Sequence, residues 1–335
     1  MSFKIKGTAA SFPPQVIDNV SVMDWIYRSY RDKDADIWDL ETCERIYGVK
    51  RRHWAMDSNT GEVMLDYIDV NLAVDAAKKA LIEAETDAAE LDMIIHTSAT
   101  PEQIIDPDSA LLIHEKLGCR TRCSAFMLTT TCTGFTEALV MATNFIKSGM
   151  AKNILITSSN SSSLIPKLNW HMRFFEGDGA AAAVIGEGDS EMILSCLGAH
   201  SQLDSPVHLH YNTVGDKSAS NKLTWSFKHQ YLSYGIPILK EISEEIKQAL
   251  QSETHKPDLV ISHQATPILR RLLSNKLCVE KERVPFDVLI NHGNTFNAST
   301  GICLDQEIRK LNKSNILAII AVGVGWRAAY AVIKL

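Results

Sequence analysis

The chain has 335 residues, of which 45% are hydrophobic, so it can bury a large core in two domains or in a duplicated unit. Its net charge of −6 includes no long run of one sign, which argues against nucleic acid and a charged membrane surface as partners. No apolar run is long enough for a bilayer span or a signal peptide, so we expect a soluble, cytoplasmic protein that acts on small molecules.

Apolar runs of strand length alternate along the chain with segments of helical period. The predicted strands are 92–100, 124–130, 153–159 and 180–186, and the predicted helices are 68–84, 106–117, 133–148 and 236–251. Such alternation is typical of an α/β fold with a largely parallel sheet that is covered on both faces.

The two halves of the chain contain an internal repeat. The segment DMIIHTSAT at 92–100 matches DLVISHQAT at 258–266 in its Asp, second Ile, Ala and Thr, at an offset of 166 residues. Three further pairs of segments follow in the same order, namely FMLTTTCTGFTEAL with FDVLINHGNTFNASTGICL, NILITSS with NILAIIA, and AAAAVIG with AAYAVIK. The repeat predicts two similarly folded halves, 1–190 and 191–335, packed about a pseudo-twofold axis.

The seven cysteines form no zinc-like pattern of paired CxxC motifs. The only close pair is Cys119 and Cys123 in CRTRC, which we predict to be thiols rather than metal ligands. Four others are predicted to be structural, and these are Cys43, Cys196, Cys278 and Cys303. The sequence thus predicts no metal site and no cofactor.

The remaining cysteine, Cys132, lies in TTTCTGFTEAL, where a predicted strand gives way to a predicted helix. The unpaired N–H groups and positive dipole end of a helix amino terminus favour a thiolate and can stabilise an oxyanion. The small neighbours Thr131, Thr133 and Gly134 leave room for a substrate. Cys132 is therefore a candidate nucleophile, the alternative being a buried structural cysteine.

Two polar residues fall at equivalent places in the repeat. His263 follows the predicted strand DLVIS, and Asn294 occupies the position in the second half that Cys132 holds in the first. Alone, either is as well explained as a core histidine or a turn residue. Together with Cys132, at strand carboxyl ends, they form a Cys-His-Asn set of the kind that carries acyl chemistry.

Other polar residues are predicted to have no catalytic role. We expect His292, His208 and His210 to be loop histidines. Asp178 in GDGA is expected to fix a turn.

The whole chain resembles the β-ketoacyl-acyl-carrier-protein synthase III family of the thiolase fold. The resemblance is carried by TCTGF around Cys132, TSAT at 97–100, FEGDGAAAAV within 174–184, SHQAT around His263, HGNTFNAS around Asn294 and GVGW at 323–326. It implies a duplicated, five-layered α-β-α-β-α arrangement.

The resemblance also implies a role for each residue of the set. Cys132 would carry the acyl group as a thioester, while His263 and Asn294 would stabilise the enolate formed when a malonyl unit loses carbon dioxide. The backbone N–H groups of Cys132 and of the loop at Val324 would form the oxyanion hole. The family has three consecutive glycines in this loop, and Val324 replaces the middle one.

The substrate entrance departs from the family. An aromatic residue and an arginine that would hold the adenine of coenzyme A are replaced by Thr42 and Ile46, and a second arginine by Trp170, a candidate stacking face. The segment 200–235, which forms part of the entrance in the family, also matches poorly. We therefore expect the family's chemistry with altered substrate handling.

The expected partners are acyl and malonyl thioesters, carried on coenzyme A, on acyl carrier protein or on both. Three cations after SHQAT are candidates for carrier docking, namely Arg270, Arg271 and Lys276. The strand SAFMLTT is expected to pair across a twofold in a homodimer, with the loop PEQIIDPD at 101–108 reaching towards the partner.

Three functions follow from these observations. The first is a decarboxylative condensing enzyme of fatty acid or polyketide biosynthesis, which the intact Cys-His-Asn set favours, with a specialised-metabolism relative preferred over a housekeeping enzyme. The second is an acyltransferase that moves the acyl group from Cys132 to an alcohol or amine. The third is a non-catalytic partner subunit, which we would expect to lack at least one of the three residues.

Overall fold

The computed structural model describes residues 2–30, 36–165, 169–199, 207–211, 223–227, 231–251, 256–323 and 327–335. The strands in these ranges are β1 (Ser2–Ser11), β2 (Val16–Asp18), β3 (Arg51–His53), β4 (Met93–Ser98), β5 (Ser124–Leu128), β6 (Asn153–Asn160), β7 (Gly179–Gly188), β8 (Glu191–Ala199), β9 (Val207–Tyr211), β10 (Leu223–Phe227), β11 (Leu259–Ser262), β12 (Ile316–Gly323) and β13 (Arg327–Lys334). The helices are α1 (Asn19–Tyr30), α2 (Leu40–Tyr47), α3 (Asp69–Glu83), α4 (Ser109–Leu117), α5 (Gly134–Lys147), α6 (Trp170–Phe175), α7 (Tyr231–Gln251), α8 (Pro267–Leu277), α9 (Asp287–His292) and α10 (Ala298–Glu307).

The predicted elements of the first half are confirmed to within a few residues. Strands β4, β5, β6 and β7 and helices α3, α4 and α5 lie where the apolar runs and helical periods place them. Helix α7 begins five residues before the predicted start at 236 and ends at the predicted residue. Among the described residues, no helix combines the length and apolar character that crossing a bilayer requires.

The larger sheet has the strand order β1-β7-β6-β4-β5. Strand β4 pairs in parallel with both β5 and β6, whereas β7 runs antiparallel to β6 and to β1. Strand β5 is an edge strand, and its apolar side chains are only half-buried.

The smaller sheet repeats most of this pattern with strands from later in the chain. Its order is β8-β13-β12-β11, with β11 parallel to β12 and the other two pairings antiparallel. Each of its strands thus has a counterpart of the same order and direction in the larger sheet, as expected for a thiolase fold. A domain boundary near residue 190 stays a prediction.

The two sheets differ at the place of the fifth strand. The sequence alignment sets FDVLIN against the strand FMLTT, but this segment forms helix α9. Val288 and Leu289 are buried, whereas Asp287 is exposed. At the end of the helix, the side-chain amide of Asn291 donates to the carbonyl of Asp287, and the N–H of Gly293 donates to that of Leu289. The segment therefore buries only one apolar face, as a helix on the surface of a core does. Asn294 thus follows a helix rather than a strand.

Five layers result from the packing of helices on these sheets. Helices α5 and α10 share one apolar core with inward-facing residues of both sheets, and so lie between them. Helices α3 and α4 cover the outer face of the larger sheet, and α7 and α8 cover the outer face of the smaller one. The turn before α5 and the loop before α10 are thereby brought together at the ends of the strands.

Candidate active site

Cys132 lies where the chain turns from β5 into α5. It occupies a 3₁₀ turn, Thr131–Thr133, that runs directly into the helix, and only 5% of its surface is exposed. Thr131 has φ of +36°, a left-handed conformation that a β-branched residue adopts only at a cost. The strained turn therefore presents the thiol at the first turn of α5, as the sequence predicts.

Two glycines allow the backbone to approach this turn closely. A Cβ atom on Gly323, at the end of β12, would lie 2.4 Å from the Cβ of Cys132 and 3.2 Å from its sulfur. A Cβ atom on Gly134 would lie 1.9 Å from the hydroxyl oxygen of Thr97. Only glycine fits at either place, so Gly323, the first residue of GVGW, lies in contact with Cys132.

His263 follows β11 directly and is 2% exposed. Its N–H donates to the carbonyl of Ile320 on β12 at 3.2 Å, which continues the strand pairing by one residue. Its Nδ1 lies 2.8 Å from the hydroxyl oxygen of Ser299, on α10. The ring is therefore held by a strand end on one side and a helix on the other.

Burial determines the charge of His263. It lowers the pKa of the imidazole to about 4, although a hydrogen bond between the ring and the backbone of Phe296 opposes this shift. The ring is accordingly neutral near pH 7 and keeps one N–H donor and one lone pair.

Asn294 is held by its backbone and its side chain together. Its N–H donates to the carbonyl of Phe175 at 2.7 Å, and its carbonyl accepts from the N–H of Gly177 at 3.0 Å. Its side-chain Oδ1 accepts from the N–H of Phe296 at 2.9 Å. Because a backbone N–H needs an acceptor, this bond fixes the orientation of the amide and leaves Nδ2 as a donor for a ligand.

Phe296 links the three candidate residues. Its side chain belongs to the small apolar cluster that surrounds Cys132, its N–H binds the side chain of Asn294, and its backbone binds the ring of His263. It is 1% exposed and has φ of +49°. A left-handed aromatic residue is a conformational outlier, and such strain is concentrated at functional sites.

The buried amide of Asn297 fixes this loop to the larger sheet. Its Oδ1 accepts from the N–H of Ala99 at 3.0 Å. Its Nδ2 donates to the carbonyl of Thr97 and the hydroxyl of Ser158, each at 2.7 Å, and to the carbonyl of Ser159 at 3.1 Å. The amide therefore connects the ends of β4 and β6 to the segment that carries Asn294.

The structure thus brings Cys132, His263 and Asn294 together around one loop. Of the oxyanion-hole pair, Cys132 is described, whereas Val324 lies outside the described residues. Most of the segment 200–235 is also outside them.

The predicted entrance residues lie on two neighbouring helices. Thr42 and Ile46 are on α2, where Ile46 is 40% exposed. Trp170 begins α6 and is only 6% exposed, because it stacks on His171 at 3.6 Å and meets Trp38 edge-on at 5.6 Å. The expectation that Trp170 presents an open stacking face is therefore wrong.

The three cations proposed for carrier docking lie on α8 and have different environments. The guanidinium of Arg270 donates to the carbonyls of Val284 and Lys281, each at 2.9 Å, and so holds the fold together. Arg271 is exposed and Lys276 is half-buried. A cavity of about 400 Å³ opens beside them, with Arg270, Arg271 and Lys281 in its lining.

Outside the catalytic set, the expectations for three histidines and one carboxylate can be compared with the structure. His292 is the last residue of α9, so the prediction that it is a loop residue is wrong. His208 and His210 lie in β9, which pairs with β10, so the prediction that they are loop residues is wrong. Apolar and polar residues alternate in VHLHY, which is the pattern of a strand. Asp178 accepts from the N–H groups of Ala55 and Ser163, at 2.7 and 3.0 Å, and so fixes two loops.

Comparison with known proteins agrees with the resemblance in the sequence. The family described as 3-oxoacyl-[acyl-carrier-protein (ACP)] synthase III matches residues 126–201, and its C-terminal family matches residues 248–335. A β-ketoacyl-[acyl-carrier-protein] synthase III of Neisseria meningitidis is 29% identical over 97% of both chains, and one of Natranaerobius thermophilus is 29% identical over 99% of this chain and 98% of the relative.

This chain belongs to the 3-oxoacyl-[acyl-carrier-protein] synthase III family. It is accordingly a thiolase-fold condensing enzyme of the acyltransferase class. The crystal structure of the Aquifex aeolicus synthase III has a TM-score of 0.82 at 26% identity and covers 99% of this chain and 100% of its own. A crystallised variant of Xanthomonas campestris OleA has a TM-score of 0.83 at 18% identity, covers 100% of this chain and 99% of its own, and shows likeness of fold alone.

Residues that support the synthase site were not singled out from the sequence. Ser299, Asn297 and Phe296 all fall within HGNTFNAST, which was recognised only through Asn294. The polar run in HGNTFNAST, which interrupts an apolar segment, is a sequence signal that could have pointed to these supporting residues. The bonds it makes to β4 and β6 depend on the tertiary fold and could not be derived from spacing.

The first residue of this motif, His292, predicts a pH dependence of stability. Burial lowers the pKa of His292 to about 4, and the ring stacks on Phe12 at 4.1 Å. The unfolded histidine binds a proton below about 6.5, so the unfolded state gains protons first and stability falls on acidification from pH 6.5 to 4. We expect His292 alone to cost about 2 kcal/mol between pH 7 and 5.

Urea unfolding at pH 7 and pH 5 checks this. His292→Gln and His292→Phe both remove the titration, and the phenylalanine also keeps the stacking on Phe12. In both variants, the decrease in the free energy of unfolding between pH 7 and pH 5 should be smaller than in the wild type, by about the same amount. A difference as large as in the wild type would show that His292 does not titrate in this window.

Proposed function

We propose that this synthase loads an acyl group on Cys132 and joins it to a malonyl thioester by decarboxylative Claisen condensation. The observation that carries the proposal is the meeting of Cys132, neutral His263 and the oriented Asn294 amide around Phe296. A nucleophile, an imidazole donor and an amide donor at one buried place are what the two half-reactions require.

In the first half-reaction, the thiolate of Cys132 attacks the carbonyl carbon of the acyl donor. A new carbon–sulfur bond forms, and the donor thiol leaves with a proton. We propose that backbone N–H groups at the start of α5 bind the oxyanion and that the N–H of Val324, as the family resemblance implies, supplies a further donor. Gly323, the residue before it, lies in contact with Cys132.

In the second half-reaction, His263 and Asn294 bind the thioester carbonyl of the malonyl substrate. We propose that the substrate carbonyl replaces the backbone of Phe296 as the partner of the ring. Nδ1 then accepts from the hydroxyl of Ser299, and the single N–H of the neutral ring donates from Nε2 alongside Nδ2 of Asn294. Loss of carbon dioxide leaves an enolate between these donors. Its carbon attacks the acyl thioester, a carbon–carbon bond forms, and the thiolate of Cys132 is released.

The two other functions considered for this chain fit the site less well. Transfer to an alcohol or amine needs no enolate, so it gives no reason for the bond that orients the amide of Asn294. A non-catalytic subunit would not need a nucleophile held in a strained turn.

We predict that the two half-reactions separate on substitution. Asn294→Ala should still accept one acyl group on the peptide containing Cys132, but should lose condensation by a factor on the order of 10² to 10³, the usual effect of one missing oxyanion donor. Cys132→Ala should lose both. Intact-protein mass spectrometry measures the loading, and product analysis from malonyl thioester measures the condensation.

Asn291→Ala serves as the matched control, because its amide donates to the carbonyl of Asp287 within α9. It should retain both steps. An acyl mass found on Cys43 or Cys303, or equal loss of loading and condensation in Asn294→Ala, would contradict the assigned roles.

We further propose that a carrier protein delivers the acyl chain better than coenzyme A does. Thr42 and Ile46 offer neither an aromatic face nor a guanidinium for adenine, and the ring of Trp170 is buried. Loss of base stacking costs roughly 1–3 kcal/mol in other proteins. The exposed Arg271 beside the cavity on α8 is suited to an acidic carrier surface. Altered substrate handling of this kind favours specialised metabolism.

Comparison of kcat/KM for one acyl group on both donors provides the test. Arg271→Glu combined with Lys281→Glu should lower kcat/KM for the carrier and leave that for coenzyme A unchanged, and added salt should weaken the carrier preference. Arg270 is left unchanged because its guanidinium supports the fold. The exposed Lys152, changed to Glu, is the control. Equal or better use of the coenzyme A ester by the wild type would refute the proposal.

We also propose a homodimer that forms through β5. The strand is at an edge of the larger sheet, and Phe126, Met127 and Leu128 are half-buried within one chain. Pairing across a twofold would cover the open backbone groups and the apolar side chains together.

We predict a dimer by light scattering at micromolar concentration. Met127→Lys places a charge in this edge and should shift the protein towards monomer, whereas Met150→Lys, at a residue that is 68% exposed, should not. A monomeric wild type would defeat the proposal.

A further inference from the structure

A second cluster of reactive side chains lies at the opposite end of β5 from Cys132. His114 is in the last turn of α4, and Cys119 and Cys123 lie in the turn that leads into β5. One ligand atom from each of the three lies within 4.8 Å of the other two. From the sequence, the two cysteines were predicted to be thiols, since the chain has no zinc-like pattern of paired CxxC motifs.

Backbone bonds hold this cluster in place. Gly118 ends α4 in the left-handed conformation, with φ of +67°, which turns the chain back on the helix. The N–H of Cys119 then donates to the carbonyl of His114 at 3.2 Å, and the N–H of Cys123 to that of Arg120 at 2.9 Å. The three side chains converge because of the helix cap and the turn that follows.

The imidazole of His114 is oriented as in many metal sites. Its Nε2 lies 3.2 Å from the carbonyl oxygen of Arg120. Because a carbonyl can only accept, Nε2 carries the proton and Nδ1 carries the lone pair. A histidine that gives its other N–H to a carbonyl is the usual arrangement at a metal.

The two sulfurs form a suitable pair of soft ligands. The sulfurs of Cys119 and Cys123 lie within 4.8 Å of each other. Cys123 is buried, whereas Cys119 and His114 are half-buried and reachable by an ion. The guanidinium of the nearby Arg120 forms an ion pair with Asp92 and donates to the carbonyl of Leu91. Its positive charge is therefore paired with groups outside the cluster.

We propose that His114, Cys119 and Cys123 bind one Zn²⁺ ion, with water in the fourth position. Two thiolates and one imidazole are ligands that zinc prefers, and with two negative charges they neutralise it. Binding forms two zinc–sulfur bonds and releases the two thiol protons, so affinity rises with pH. No electron is transferred.

This site has a structural role. The five residues of β5 separate it from the turn of Cys132 by roughly 16 Å, at about 3.3 Å per residue. A bound ion joins the end of α4 to the start of the edge strand. It therefore stabilises the strand that we propose pairs in the dimer, and takes no part in the condensation.

The test uses the full-length protein, reduced and freed of metal with a chelator. Titration with Co²⁺ as a spectroscopic probe should give one equivalent of thiolate-to-metal charge-transfer absorption, which Zn²⁺ then displaces. Cys119→Ser, Cys123→Ser and His114→Ala should each weaken binding by a factor on the order of 10². Zn²⁺ should raise the Tm of the wild type and not that of Cys119→Ser.

Two controls keep the result specific. Cys278→Ser removes an exposed cysteine elsewhere and should leave the absorption unchanged. Acyl loading of Cys132 should persist in Cys119→Ser and Cys123→Ser, which shows that these variants are folded. The proposal is overturned if the reduced wild type gives no stoichiometric absorption, or if the absorption survives in the double variant Cys119→Ser/Cys123→Ser.

Discussion

The site depends most on one buried amide, that of Asn297. Its four hydrogen bonds attach a loop of the second half to the ends of β4 and β6 in the first. Without it, two backbone carbonyls, one N–H and one hydroxyl would lose a partner in a place that water does not reach, and each such loss costs about 1–3 kcal/mol. The position of Asn294 relative to Cys132 is therefore set by a residue that contacts neither substrate.

Around this anchor, the chain holds two residues in left-handed conformations. Thr131 precedes the nucleophile and Phe296 joins the parts of the site, and both carry side chains that disfavour positive φ. Elsewhere the non-glycine residues with positive φ follow the ends of helices, where this conformation is common, as at Cys278. Strain away from helix ends is thus confined, among the described residues, to the catalytic turn and loop. The surrounding core is rigid enough to maintain it.

Much of this arrangement could be predicted from the sequence, and the failures have physical causes. Strands such as β4 and β6 are continuous apolar runs, and Cys132 is marked by its place between a strand and a helix. Helix α9 was missed because a short apolar segment fits either period until its neighbours are known. Trp170 was misjudged because its burial depends on Trp38 and His171, which a pattern does not reveal.

The contact between Gly323 and Cys132 has a consequence for gene copies that have lost their activity. The collision that excludes a side chain at 323 is with the Cβ atom of residue 132, which alanine or serine would also carry. Selection would therefore keep glycine at 323 after the thiol is gone. A glycine there marks an intact backbone, and of these two positions only residue 132, by its sulfur, distinguishes a working paralogue from a silent one.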